Sequence, residues 1–162
     1  AALKKERLSS EGYAAMLAST TKLNTPGPAL AALDGVHALT DVTGFGLLGH
    51  ALELCRGARL SARIRMHDVP LLPGVAELAA AGMVTGASAR NWAGYGADVT
   101  LASSLSDVER ALLTDPQTSG GLLVACDADS VPAVLDAFHR DGFEAASEIG
   151  ALALGEPHIT VA

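Results

Sequence analysis

The chain has 162 residues, 49% hydrophobic and 18% charged, which suits one domain with a packed core and leaves no room for two. A formal net charge of −7 argues against nucleic acid as a partner, because phosphate backbones are held by clustered Lys and Arg. Apolar stretches are too short for a membrane span, and the charged opening AALKKERL has no apolar core of a secretory signal. A cytoplasmic, reducing setting is expected, with Cys55 and Cys126 as small core residues rather than a disulfide or metal pair.

Taken in chain order, Ser10 is placed to cap a first helix whose apolar face is Tyr13, Met16 and Leu17. Pro28 to Leu33 reads as a short helical turn closed by Gly35. His37 to Val42 is a strand, followed by a glycine turn and a helix over residues 46–56. That helix turns Leu48, Ala51, Leu52 and Cys55 inward and stops at Gly57. Residues 59–66 alternate, with Leu60, Ala62, Ile64 and Met66 on the buried side of a strand. Pro73 opens a helix that runs to Gly82, whereas residues 85–97, rich in Gly, Ala and Ser, show no period that assigns them.

A short strand is expected over Val99–Ala102. Ser106 and Glu109 have capping-box spacing ahead of another helix. Leu122 to Cys126 is a buried strand. The helix after it buries Val131, Val134, Leu135 and Phe138, with Gly142 beyond its end. One or two strands close the chain near 147–154 and 158–161. Helices and strands mix without regular βαβ spacing, which predicts an α+β fold: one mixed, mainly antiparallel sheet with helices packed on one face. Residues 1–35 form a leading helical segment and 36–162 the core of a single domain.

Two segments carry the chemical signal. In Thr40-Asp41-Val42-Thr43-Gly44-Phe45-Gly46-Leu47-Leu48-Gly49-His50 a strand ends, glycines crowd the turn and a helix begins. Thr43, Gly44 and Gly46 would let backbone N–H groups approach a phosphate at the helix N-terminus. Asp41 beside an anion site makes sense if it holds Mg²⁺ that in turn holds phosphate oxygens; the plain alternative is a capping Asp in a tightly packed turn. The same stretch matches G-x-G-x-x-G, with Asp68 further on, so a dinucleotide-binding module is a second reading. Its strand is too polar, and the βαβ units that should follow are missing.

The second segment is Asp115-Pro116-Gln117-Thr118-Ser119-Gly120-Gly121-Leu122-Leu123. Thr118, Ser119, Gly120 and Gly121 could form a nest of N–H groups for an anion, or an ordinary turn between helix and strand. Gly120 and Gly121 are expected either to bring N–H groups to a phosphate or to adopt positive φ. With lysine only at positions 4, 5 and 22, a P-loop is excluded. His50 and Glu53 share a helical face but have no third partner, so both read as surface residues. His37, His67, His139 and His158 sit singly, and Trp92 of Arg90-Asn91-Trp92 is assigned to packing.

Together DVTGFGLLGH and DPQTSGGLL, with LPGV at 72–75 and Arg90-Asn91, resemble the C-terminal domain of selenophosphate synthetases (selenide, water dikinases) over residues 10–162. That family lies in a superfamily with aminoimidazole ribonucleotide synthetase. The resemblance implies an α+β domain from a two-domain, homodimeric enzyme that turns ATP, selenide and water into selenophosphate, AMP and phosphate. It also implies that Asp41 is a Mg²⁺ ligand. The reactive Cys or selenocysteine and the Lys belong to the family's N-terminal domain, which these residues lack, so the chain alone is expected to be inactive. A non-catalytic docking or dimerisation domain is the other reading.

Overall fold

The computed structural model describes residues 1–162 and is α+β. Helices α1 (Ser10–Thr20) and α2 (Gly27–Ala31) lead into strand β1 (Val36–Asp41) and helix α3 (Gly46–Ala58). Strand β2 (Leu60–Ile64) and helices α4 (Val75–Ala80) and α5 (Gly86–Tyr95) follow, then β3 (Val99–Leu101) and α6 (Asp107–Leu113). The chain closes with β4 (Leu122–Cys126), α7 (Val131–Arg140), β5 (Gly150–Leu154) and β6 (His158–Val161).

The expected single, mainly antiparallel sheet is corrected to two sheets. β1 and β4 form an antiparallel pair of their own. The other strands lie in the order β3-β6-β2-β5, where β2–β5 is antiparallel and both β6 pairings are parallel. The reason lies in burial: β6 carries Ile159 and Val161, both fully buried, and such a strand belongs in the middle of a sheet. β5, a run of Gly, Ala and Leu, is left at the edge with Leu154 almost fully exposed. β5 and β6 are therefore consecutive in the chain but separated by β2.

One face of the four-stranded sheet presents Val99, Ile159, Val161, Ala62 and Ile64. Against it lies α3, burying Leu48, Ala51, Leu52 and Cys55 as its periodicity predicts, with Tyr95 of α5 and Leu113 of α6 completing this core. A second, smaller core of Leu30, Val134, Ala137 and Phe138 covers the β1–β4 pair. A two-stranded ribbon is marginal alone, so α2 and α7 are what hold it in place. The bridge between the two cores is the path from β1 into α3.

Several boundaries shift for local reasons. Ser9, not Ser10, caps α1 by accepting from Gly12 N at 3.0 Å. No residue of α1 is buried, so Tyr13, Met16 and Leu17 do not pack inward as expected. α3 runs through Gly57 and ends at Arg59, in the left-handed region at φ 55°. The capping box of α6 forms as read, with Ser106 and Glu109 satisfying each other's backbone N–H. The segment with no readable period, 85–97, contains helix α5, capped by Thr85. Glycine, serine and asparagine give it poor intrinsic propensity, and side-chain bonds to its neighbours supply what propensity does not.

These placements separate two leucines cleanly. Leu52→Ala, at a site 1% exposed, is expected to cost about 2–5 kcal/mol. Leu17→Ala, at a site 42% exposed, should stay within about 0.5 kcal/mol. Urea unfolding midpoints of the two variants check both.

Candidate functional site

The two glycine segments meet backbone to backbone. β1 and β4 pair down to Asp41 opposite Leu122, and the ladder continues into the loops through Val42 N–H to the Gly121 carbonyl at 2.9 Å. The Thr43 carbonyl then accepts from both Gly46 N–H and Gln117 N–H, each at 3.0 Å. The approach is so close that a Cβ on Gly120 would sit 1.7 Å from the Val42 carbonyl oxygen. Gly46 is equally constrained: its φ is +70°, and a Cβ there would lie 2.7 Å from the Thr114 carbonyl carbon. Gly120 and Gly121 do not adopt positive φ, so that expectation is corrected; Gly120 is required by close packing, whereas Gly44 and Gly121 face open space.

Side chains from neighbouring elements staple this crossing. Asn91 of α5 donates both amide hydrogens, one to the Gly44 carbonyl at 2.9 Å and one to the Thr114 carbonyl at 3.0 Å, and so ties one segment to the other. Tyr95 donates to the Phe45 carbonyl at 2.7 Å, and burial pushes its phenol up to about 12. Ser88 and Thr114, both buried, share a hydrogen bond of 2.6 Å. Asn24 donates to the Gly120 carbonyl at 3.0 Å. Asp115 accepts from Thr85 at 3.2 Å; burial pushes its carboxyl up, and that bond partly offsets the rise. It therefore serves the loop rather than a ligand.

What remains open is a short rim. Asp41 is exposed and its carboxylate has no hydrogen-bond or ion-pair partner. Gly44, Thr118, Ser119 and Gly121 are exposed as well, and Thr43 is half-buried. The first turn of α3 has no side-chain cap and no acidic residue; the Gly46 N–H goes to the Thr43 carbonyl, and the N–H groups after it meet no side-chain acceptor. No group of three or more His, Cys, Asp or Glu side chains is placed to hold a metal ion. A hard cation at Asp41 would thus find one carboxylate oxygen donor here and need the rest from elsewhere.

A family model described as AIR synthase related protein, C-terminal domain, matches residues 2–158. The chain belongs to that family. Across 161 residues it is 63% identical to a selenide, water dikinase of Burkholderia pseudomallei (strain K96243), covering 99% of this chain and 46% of that protein. The selenide, water dikinase of Pseudomonas straminea is also 63% identical over 161 residues, with 99% and 45% covered. For Rhizobium meliloti (strain 1021) the identity is 50% over the same length, with 99% and 46% covered. The chain spans about half the length of these curated relatives and corresponds to their C-terminal part. Among solved structures, E. coli HypE shares the fold at TM-score 0.62 and 18% identity, covering 99% of this chain and 41% of that one.

Within this AIR synthase related domain, the dinucleotide reading loses its structural basis. β1 and β2 lie in different sheets, so the glycine turn is not the crossover of a parallel βαβ unit. Asp68, the carboxylate that reading would use, is ion-paired to Arg65. Burial pushes up the thiols of Cys55 and of Cys126, the latter also through Asp127 and Glu148, which keeps both protonated and poor nucleophiles.

Sequence reasoning missed three residues. His50, expected on the surface, is 7% exposed, one helical turn beyond the buried Gly46. Asn91, marked in the sequence only as part of the Arg90-Asn91 pair, ties the two loops together, and Asn24 holds the second; their bonding roles are not readable locally because their partners lie far away in the chain.

The glycines now test packing against ligand approach. Gly120→Ala should destabilise the chain by about 1–3 kcal/mol through overpacking. Gly121→Ala, in open space, should stay within about 0.5 kcal/mol. Equal losses at the two positions in chemical denaturation would contradict this division.

Proposed function

We propose that this chain is the C-terminal half of a selenide, water dikinase, which makes selenophosphate, AMP and phosphate from selenide, ATP and water. The observation that carries the reading is identity of 63% over 161 residues with proteins of that name. The geometry agrees with it. A strand-end carboxylate and two glycine loops share one rim beside an uncapped helix N-terminus, the arrangement a metal-bound polyphosphate needs.

In this reading Asp41 supplies one oxygen ligand to Mg²⁺, and the remaining ligands come from the N-terminal half and the nucleotide. When bound, the metal neutralises phosphate charge and fixes the orientation of the phosphate chain. Thr43 and Gly44 line the rim on the first loop, and Thr118, Ser119 and Gly121 on the second; Gly46 is buried behind the rim and shapes the turn instead of meeting the ligand. Gly120 lets the two loops close on each other. Asn91 and Tyr95 keep the crossing rigid, so the loops need little reordering when ATP arrives. The reactive nucleophile and the lysine lie in the N-terminal half, which also docks on this domain. The assembled protein is a homodimer.

Two outcomes follow. The purified 162-residue chain should fold but form no AMP from ATP and selenide; selenide-dependent AMP release above background would count against the division of labour. In the full-length protein Asp41→Asn should leave the melting temperature unchanged. Its turnover should fall by about 100-fold or more, since even residues that only support metal ligands cost about 10–100-fold. Near-normal turnover of that variant at limiting Mg²⁺ would reduce Asp41 to a turn residue.

A further inference from the structure

The His50 ring is not explained by packing alone. It is nine-tenths buried, on the inner face of α3, against the tilted ring of Phe45 at 5.9 Å between centroids. Its Nε2 lies 3.0 Å from Thr43 Oγ1. Its Nδ1 lies 2.9 Å from Glu53 Oε2, an ion-pair distance, but forms no hydrogen bond to any partner. A buried polar nitrogen is costly unless it is used, and this one sits directly behind the first glycine loop.

We propose that His50 is a positioning residue that turns the Thr43 hydroxyl proton inward, so that Thr43 presents oxygen lone pairs to the ligand rather than a donor. A carboxylate presents acceptor oxygens, so the Nδ1 that lies this close to Glu53 is assigned the proton. In a neutral imidazole Nε2 is then bare and can only accept. The partner that must donate is Thr43 O–H. The main chain of Thr43 is already fixed, since its carbonyl accepts from both Gly46 and Gln117. The hydroxyl rotor is the freedom that remains, and His50 removes it.

The consequence is chemical. A threonine with a free hydroxyl proton would donate to a phosphate oxygen. One whose proton is committed to Nε2 instead meets a cation or a cation-bound water. Two residues from Asp41, that assigns Thr43 to the metal side of the rim and leaves phosphate oxygens to backbone N–H groups. The assignment rests on the reading that this loop faces Mg·ATP, but the relay behind it does not.

Two measurements separate these. In ¹⁵N-histidine NMR of the 162-residue chain, which has five histidines, His50 should carry its proton at Nδ1 and leave Nε2 bare. Protonation at Nε2, or at both nitrogens, overturns the relay. In the full-length enzyme, Thr43→Val and His50→Leu should each lower kcat/KM for ATP about tenfold, as loss of one hydrogen bond near charge does. The double variant should be no worse than either single one, and His50→Gln, with an amide oxygen near the place of Nε2, should recover most activity. Additive losses, about 100-fold in the double variant, would show that His50 does not act through Thr43. A silent Thr43→Val beside the expected tautomer would overturn the positioning role by removing the loop from the nucleotide, and leave the relay a feature of the fold.

Discussion

The approach of Gly120 to the Val42 carbonyl is the constraint on which the site depends. Two loops that are distant in the chain can share one rim only if nothing larger than a hydrogen lies between their backbones. Once they touch, the β1–β4 ladder fixes their register, and Asp41 is held at its end opposite Leu122. The ladder itself is too small to stand alone, so it relies on α2 and α7, whose Leu30 and Phe138 cover it. Packing in the smaller core thus determines where a carboxylate sits at the edge of the larger one.

The polar shell around the crossing follows from the same geometry. Loops that turn away from regular structure leave carbonyls unpaired: those of Gly44, Phe45, Thr114 and Gly120 have no ladder to enter. Asn91, Tyr95 and Asn24 supply their donors. α5 exists largely for this purpose. Its sequence is a weak helix former, yet it places Ser88, Asn91 and Tyr95 at successive turns facing the crossing. Stability and the shape of the rim are therefore coupled here, and residues away from the rim can still govern it.

Much of the fold was legible because its signals are local. The period of α3, the Ser106–Glu109 box, the bounds of the Leu122–Cys126 strand and the Val134–Phe138 face each lie within one element, and the structure reproduces them, although that strand is half-buried where a buried one was expected. Elements whose stability comes from elsewhere were misread. α5 gave no period because its bonds reach Gly44, Phe45 and Thr114. Tyr13 and Leu17 have helical spacing yet stay exposed, since spacing tells which residues share a face and not whether anything covers it.

The sequence by itself determined the α+β class, the family and the two glycine segments as the centre of interest. It could do so because residue type and spacing along the chain are all that those inferences use. Only the tertiary structure decided the sheet order, with β6 drawn to the centre by the burial of Ile159 and Val161. It also decided which glycines are structural: Gly46 and Gly120 press on Thr114 and Val42, while Gly44 and Gly121 look identical in sequence and touch nothing. His50 changed from a surface residue to a buried one for the same reason. Whether a side chain meets water or a neighbour depends on chain segments brought together from far apart, and no local pattern records that.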